Sequence, residues 1–447
     1  MPEHAVTRIC IVGSLIAILL PVSVQADCSK PLPQPLTLDN ALSQLECDTA
    51  SMQQARSAQA KANARLQTSE AEDDLSIIAE GRLRWVETSP SQGGDVIDDH
   101  KGSIFVRKPL YDFGRSGALQ QAARSEAQAM VSHYQSTQDQ QRVAIMQAFF
   151  NVLQADQENF RDNEAMAVAY VTLDRMKSHQ ELGQTSDIEV MEQESLYQNV
   201  RYQVLQSESN QRLTRSILAN ILNRPDELPS ELVSPEFSHA QRKLPDYERL
   251  LQLAFEHNPR LMSLKLELDA ALQRTTAAQN SKLPRLDGEI EASSYTRELG
   301  SSDSLRAGVT LSIPIYNGGR VDAAIATAEA EVMRLRGKLT ESRHELRQAL
   351  LEQWFSIRRL MIRRQREEST LAYRELYLDR SRANYEMEVK ADLGDAMVRL
   401  SEAQLALLKV DFETALAWEH LRSLVGVEMD QLLAVDDTRI KEGSNGN

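Results

Sequence analysis

From Asp112 to Ser178, and again from Asn317 to Ala383, the chain contains no proline. Proline inside a helix removes a backbone hydrogen bond and clashes with the preceding turn, so stretches this long without it permit unbroken helix. At a rise of about 1.5 Å per residue, each stretch can reach about 100 Å, far more than a compact globule needs. The apolar residues keep helical phase. Leu350, Trp354, Ile357 and Met361 recur at four-three-four spacing, Ile145, Phe149 and Val152 form a matching stripe, and Leu405, Leu408, Phe412 and Ala415 mark a later helix. Aromatics make up only 5% of the 447 residues, with 18 Gly and 14 Pro, a composition of long helices rather than of two or three ordinary domains. The net charge of −15 offers no basic stripe for nucleic acid.

Each long stretch opens on the same signature. In KPLYDFGR, Lys108–Arg115, and IPIYNGGR, Ile313–Arg320, the residues Pro109, Tyr111, Gly114 and Arg115 recur as Pro314, Tyr316, Gly319 and Arg320, 205 residues later. The offset persists downstream. Arg142 matches Arg347, Phe149-Phe150 matches Trp354-Phe355, Val152 matches Ile357, Glu181 matches Glu386 and Asp187-Ile188 matches Asp392-Leu393. A gapless offset is what rigid helix demands, because an insertion rotates every later side chain off its face. The chain therefore reads as two tandem repeats, 27–222 and 246–426, joined by a Pro-rich linker, 223–245, and followed by a tail, 427–447. Each repeat is expected to run helix, strand, strand, long helix, turn, helix. The long helices are expected at 112–178 and 317–383, the returning helices at 185–222 and 391–425.

Strand-like segments alternate instead with a period of two. In 305–315, Leu305, Ala307, Val309, Leu311, Ile313 and Ile315 face Arg306, Gly308, Thr310, Ser312 and Pro314. Leu286, Gly288, Ile290 and Ala292 alternate with Asp287, Glu289, Glu291 and Ser293, and Ile77, Ala79, Gly81, Leu83 and Trp85 with Ile78, Glu80, Arg82 and Arg84. In 101–110, Gly102, Ile104, Val106 and Leu110 oppose Lys101, Ser103 and Arg107, with Phe105 and Lys108 off-pattern. Strands are expected at 76–88, 101–111, 286–297 and 304–315. This pattern fits transmembrane β-strands and equally a soluble half-buried sheet. Four strands cannot close a barrel, and each unpaired backbone group at an edge in lipid costs several kcal/mol. In a membrane several chains must therefore share one barrel, and a pore needs more than eight strands, which three chains provide.

The amino terminus reads as an export signal, 1–26: Arg8 precedes the apolar run Ile9 to Val24, and Val24-Gln25-Ala26 suits cleavage before Asp27. A membrane anchor is the competing reading, although the run is short for a span. Export brings Cys28 and Cys47 into an oxidising compartment, where they can form a disulfide, stay free, or leave Cys28 to carry lipid, which Asp27 disfavours. No later segment reads as a transmembrane helix.

Taken in order, these features resemble the TolC-type outer-membrane efflux proteins over nearly the whole mature chain. The resemblance rests on the tandem repeat, the doubled Pro-x-Tyr-x-x-Gly-Arg switch, Gly-Gln-Thr-Ser-Asp-Ile at 183–188, Leu-Thr-Leu-Asp-Asn-Ala-Leu at 36–42 and Glu-His-Asn-Pro-Arg-Leu at 256–261. It implies a mainly α fold with a membrane β-barrel portion: a homotrimer whose twelve-stranded barrel in the outer membrane of a Gram-negative bacterium continues as a helical tunnel through the periplasm. It also implies a passive exit duct for efflux or type I secretion, whose partners are a periplasmic adaptor, an inner-membrane transporter of the ABC or RND type and outer-membrane lipid. Pro and Tyr would end a barrel strand at the membrane boundary, and the glycine would tolerate the backbone angles of the swing into helix. The turns between tunnel helices would form the periplasmic gate, to which the resemblance assigns Asp187, Tyr385, Lys390, Asp392 and Asp395. The chain departs from the pattern at Glu388, where the family often has the glycine that Gly183 supplies in the first repeat. Asp187 and Asp392 fit equally as helix amino-terminal caps.

No catalytic or cofactor constellation stands out. The eight histidines are scattered, His344-Glu345 lacks the second histidine of a zinc-protease helix, and there is no phosphate-binding Gly loop. The cluster Arg358, Arg359, Arg363, Arg364 and Arg366 reads as a solvated helix face, an adaptor contact or a tunnel lining. The rival to a duct is a soluble periplasmic coiled-coil scaffold. Extraction separates the two, since a duct requires detergent.

Overall fold

A computed structural model of the chain describes residues 31–47, 49–87, 96–237, 242–296, 303–387 and 392–428. The expected export segment 1–26, Cys28, Lys390 and most of the tail lie outside these residues. The fold is mainly helical. In order it comprises α1 (Leu38–Ser43), α2 (Ala50–Ala71), β1 (Ser76–Arg82), β2 (Trp85–Glu87), β3 (Val96–Asp98), β4 (Lys101–Tyr111), α3 (Arg115–Glu181) and α4 (Asp187–Ile221). Then follow α5 (Tyr247–His257), α6 (Pro259–Asn280), β5 (Arg285–Tyr295), β6 (Leu305–Ser312), α7 (Arg320–Glu386) and α8 (Leu393–Val425).

Helices α3 and α7 are each 67 residues long, about 100 Å of continuous helix. Along its first part α3 packs against α2 and α6; along its second part it packs against α4 and α8. Both α4 and α8 run antiparallel to α3. Lys177 Nζ reaches Glu194 at 2.8 Å and Asn159 donates to Ser207 at 3.1 Å on one flank, while Lys409 Nζ reaches Glu158 at 2.6 Å on the other. Helix α7 lies beyond α8, tied by Gln353 donating to the Ala417 carbonyl at 2.8 Å. The helices thus form a layer in which α3 has neighbours on both flanks, whereas α2 and α4 on one side and α7 on the other are its open edges.

The core is a belt across the middle of this layer. Phe150 stacks on Phe412 with centroids 4.6 Å apart, and Phe237 meets both rings edge-on. Around them Leu36, Ile145, Phe149 and Leu218 are fully buried. A second cluster buries Leu250, Leu261, Leu350, Ile357, Trp418 and Leu421 between α5, α6, α7 and α8. The stripe residues are buried or half-buried with one exception, and one further aromatic of the repeat pairs is open. Met361 is exposed, and so is Phe355, the counterpart of the buried Phe150. The difference follows from position in the layer: α3 is covered on both flanks and α7 on one.

Strands β1-β4-β5-β6 form one antiparallel, open sheet, with β1 and β6 at its edges. The sheet's register sorts the alternation into two faces. Ile77 opposes Val106, Val106 opposes Ile290, Ile290 opposes Ala307 and Val309 opposes Gly288 on the apolar face. On the other face Ser103 meets Ser293 at 2.9 Å, Lys101 meets Glu291 at 2.5 Å, and Arg107 pairs with Glu289. Phe105 belongs to this polar face, where the Lys101 ammonium and the Arg107 guanidinium sit 5.7 and 4.6 Å from its ring centre, which accounts for its off-pattern place. The strand bounds depart most from expectation at two places. The first strand breaks at Leu83-Arg84, where the Arg84 amide turns to His100 Nδ1 at 3.3 Å, so β2 pairs only with β3. The last strand stops at Ser312, because Pro314 has no amide to continue the ladder.

Gly114 and Gly319, the residues before α3 and α7, have φ of 83° and 77°. In this left-handed region a Cβ is strained whatever the free space. Gly114→Ala and Gly319→Ala are each expected to destabilise by about 1–2 kcal/mol. Gly117→Ala, inside α3 where a Cβ meets nothing within 4 Å, is expected to stabilise by about 0.5–1 kcal/mol. Thermal melts followed by far-ultraviolet circular dichroism measure all three.

Candidate functional site

The two strand-to-helix switches lie side by side but are built differently. In the first, Pro109 sits inside β4, where the register slips between Pro109 and Tyr111, and Tyr111 is the last strand residue. A bulge suits proline, which has no ladder amide to give. Phe113 and Gly114 both take positive φ, and Asp112 accepts from the Gly114 amide at 3.1 Å and the Ser116 amide at 2.7 Å, capping α3. Asn280, at the end of α6, donates to the Phe113 carbonyl at 3.1 Å. In the second switch Pro314 and Tyr316 follow the strand rather than end it, Tyr316 is 89% exposed, and both Gly318 and Gly319 have positive φ. Arg115, Asp112 and Pro314 line one crevice of about 300 Å³, whereas Arg320 is exposed outside it.

At the far end of α3 and α7 stand the two turns. Gly183 closes the first with φ of 71°, its amide donating to the Gln180 carbonyl at 2.9 Å and the Gln184 amide to the His179 carbonyl at 2.9 Å. The cap of α4 is Ser186, not Asp187. Ser186 Oγ accepts from the Glu189 amide at 3.3 Å, and the Glu189 carboxylate accepts from the Ser186 amide at 2.9 Å. These bonds hold Glu189 below the usual carboxylate range. The Ser-x-x-Glu spacing was the readable signal for this box. Asp187 instead accepts from Gln180 Nε2 at 2.8 Å.

Asp392 is the cap of α8, accepting from the Asp395 amide at 3.0 Å. Asp395 in turn faces Arg399 at 3.3 Å, and Arg399 reaches Glu402 at 3.4 Å. Tyr385 is exposed in the last turn of α7, and Lys390 lies outside the described residues. The start of α8 is pressed onto α3. A Cβ at Gly394 would stand 2.6 Å from a methyl of Val168. Asp187 thus sits at the turn between α3 and α4, and Asp392 and Asp395 at the start of α8, each with a hydrogen-bond or ion-pair partner.

Of three further features, only the second had no signal in the sequence pattern. Cys47 is disulfide-bonded, and its expected partner Cys28 lies outside the described residues. A buried ion network ties α3 to α8: Arg422 bonds Glu419 at 2.7 Å and pairs with Asp139, while Arg142 Nε lies 2.9 Å from Glu419. Burial pushes the Asp139 carboxyl up despite Arg422 beside it. The arginine cluster on α7 is engaged within the layer, Arg363 with Glu413 at 2.7 Å and Arg364 with Asp411 at 2.7 Å.

Loss of the cap separates the acidic residues. Ser186→Ala is expected to destabilise the α4 end by about 0.5–2 kcal/mol, and Asp392→Ala the α8 end by a similar amount, whereas Asp187→Ala removes only the Gln180 contact and stays within about 0.5 kcal/mol. Hydrogen exchange at the first turns of α4 and α8 reads each effect locally.

Comparison with known proteins is consistent with this geometry. Residues 250–427 match the outer membrane efflux protein family. The chain is 24% identical over 216 residues to the outer membrane protein TolC of Vibrio cholerae, a match covering 46% of this chain and 49% of that one. It is 22% identical over 260 residues to the protein CyaE of Bordetella pertussis, covering 57% and 55% respectively. The chain thus spans about half the length of each of these relatives. The fold extends further: the crystal structure of the outer membrane protein VceC from Vibrio cholerae superposes with a TM-score of 0.70 at 17% identity, covering 87% of this chain and 96% of that one.

Proposed function

We propose that this chain, a relative of the TolC-type outer-membrane efflux proteins, is one subunit of a trimeric exit duct. The sheet contributes four strands to a shared twelve-stranded barrel in the outer membrane, and the helical layer contributes to a tunnel through the periplasm. The observation that carries this reading is the pair of open edges in each layer. Strands β1 and β6 leave ladder groups unpaired, and the edge helices expose Ile188, Met191 and Tyr202 on α4 and Phe355, Ile362 and Leu376 on α7. A ring of copies joins β6 to β1 and α7 to α2 and α4, which closes both layers at once.

The alternation of the sheet supports the membrane placement. Its apolar face is exposed, with Ile77, Ile104, Val309 and Leu311 open, while the opposite face carries the paired charges of a polar lumen. Among the described residues no helix is long and apolar enough to cross a membrane. In this reading the strands are the spanning elements. The duct is passive: it takes substrates from an inner-membrane transporter and a periplasmic adaptor to the exterior. The repeats 27–222 and 246–426 supply equivalent strands and helices around the 223–245 linker, with the strand-to-helix switches at the inner membrane boundary and the turns at the periplasmic entrance.

Chemical cross-linking in mild detergent is expected to capture trimers, and a detergent-free monomer would overturn the duct. Val309→Arg, on the apolar face, is expected to cost about 2–4 kcal/mol near the midplane and reduce trimer yield, whereas Thr310→Arg assembles and alters conductance. Equal tolerance at the two positions would point to the soluble scaffold.

At the entrance, Asp392 and Asp395 are repeated around the threefold axis and favour cations. Their joint replacement by Ala is expected to weaken cation preference and block by multivalent cations in planar bilayers, with trimers still forming. Unchanged selectivity in well-formed trimers would leave Asp392 as a helix cap alone.

A further inference from the structure

Lys108 breaks the apolar alternation of β4, and the sheet register explains where it goes. It opposes Gly288, on the face shared by Val106, Ile290, Ala307 and Val309. Among the described residues it is the one charged side chain of the four-stranded sheet on that face, and it makes no hydrogen bond or ion pair. Its neighbour Arg107, on the other face, has Glu289. Beside Lys108 the face is not flat. Gly288, Ala307 and Gly308 leave a groove of about 410 Å³, lined also by Leu75, Val106, Leu110, Ile290, Val309 and Lys108; Glu289 borders it too, but its carboxylate pairs with Arg107 of the opposite face. The Leu110 side chain closes over Gly288, 3.2 Å from where a Cβ would stand.

We propose that this groove holds one acyl chain of an anionic phospholipid whose phosphate is bound by Lys108. The inference rests on the barrel reading above, which makes this face the lipid-facing one. Lys108 stands three residues before the strand end at Tyr111, about 10 Å along the strand, within reach of the headgroup layer for a side chain that extends its ammonium toward water. An ammonium held on an apolar surface without a protein carboxylate calls for an anion from the medium that covers it, and that medium is lipid. A phospholipid with net negative charge satisfies the ammonium, whereas a zwitterionic headgroup brings its own competing cation. The groove lies on the face of β4, β5 and β6 of a single chain and not along the outer ladder edge of β6, so pairing that edge with a neighbouring copy leaves it open.

The test is native mass spectrometry of detergent-purified trimers titrated with phosphatidylglycerol or with phosphatidylcholine of the same acyl chains. The wild type is expected to retain phosphatidylglycerol about fivefold better than phosphatidylcholine, up to one lipid per subunit. Lys108→Gln is expected to erase that preference, and Ala307→Leu, which fills the groove floor, to lower retention of both lipids, with trimer yield unchanged in each. Equal retention of the two lipids by wild-type trimers, or a preference that survives Lys108→Gln, would show that Lys108 merely extends into the headgroup layer and overturn the site. Failure of the wild type to form trimers would instead overturn the duct, and this inference with it.

Discussion

A helix of 67 residues has no joint at which an error of phase can be corrected. Every side chain that α3 presents to α2, α6, α4 and α8 is placed by one continuous backbone, so the entry angle at Gly114 sets the contacts along its whole length. The left-handed glycine, the Asp112 cap and the Asn280 bond to the Phe113 carbonyl are the small features that hold this angle. The apolar belt then fixes the middle of the helix, and the Arg422 network fixes α8 against it in the one register where buried charges meet. Removing one partner of such a network leaves a charge stranded away from water, so the network penalises other registers more than it stabilises this one.

The same rigidity determines what the chain cannot do alone. An open layer of long helices has two flanks, and an open sheet has two edges. Folding a single chain satisfies neither. The unequal surroundings of Phe150 and Phe355 display this at one pair of positions: one ring is stacked in the belt, and its counterpart is exposed on α7. Related sequence in the two halves therefore meets different physics, interior for α3 and boundary for α7.

The helical architecture was legible because proline-free length and four-three-four spacing are direct consequences of helix geometry, and Leu350, Ile357, Ile145, Phe149 and Val152 are buried as their stripes require. Strand faces were legible for the same reason, since a period of two survives any choice of neighbour. Pairing was not. The break at Arg84 depends on His100, and the bulge at Pro109 depends on β5, both of which are partners that periodicity does not name. At the candidate gate the residue types pointed to capping or to charge display. Of the two aspartates that fitted as caps, Asp392 caps α8, whereas at α4 the cap is Ser186 and not Asp187. The Arg422 network was hidden because its members lie on separate helices, and no spacing rule connects Asp139 to Arg422, 283 residues apart.

That separation bears on how the chain is made. An exported polypeptide emerges from its amino end, and α3 emerges well before α6 and α8, which cover it. Until residues near Phe412 and Arg422 arrive, Phe149, Phe150 and Asp139 have only the earlier elements for shelter. A nascent chain in that state carries an uncovered apolar stripe along half of a long rod, the kind of surface on which chains cluster. In the exported duct proposed above, that stripe stays uncovered until α8 has followed α3 across, so the arrival of the last helix is what ends the exposure.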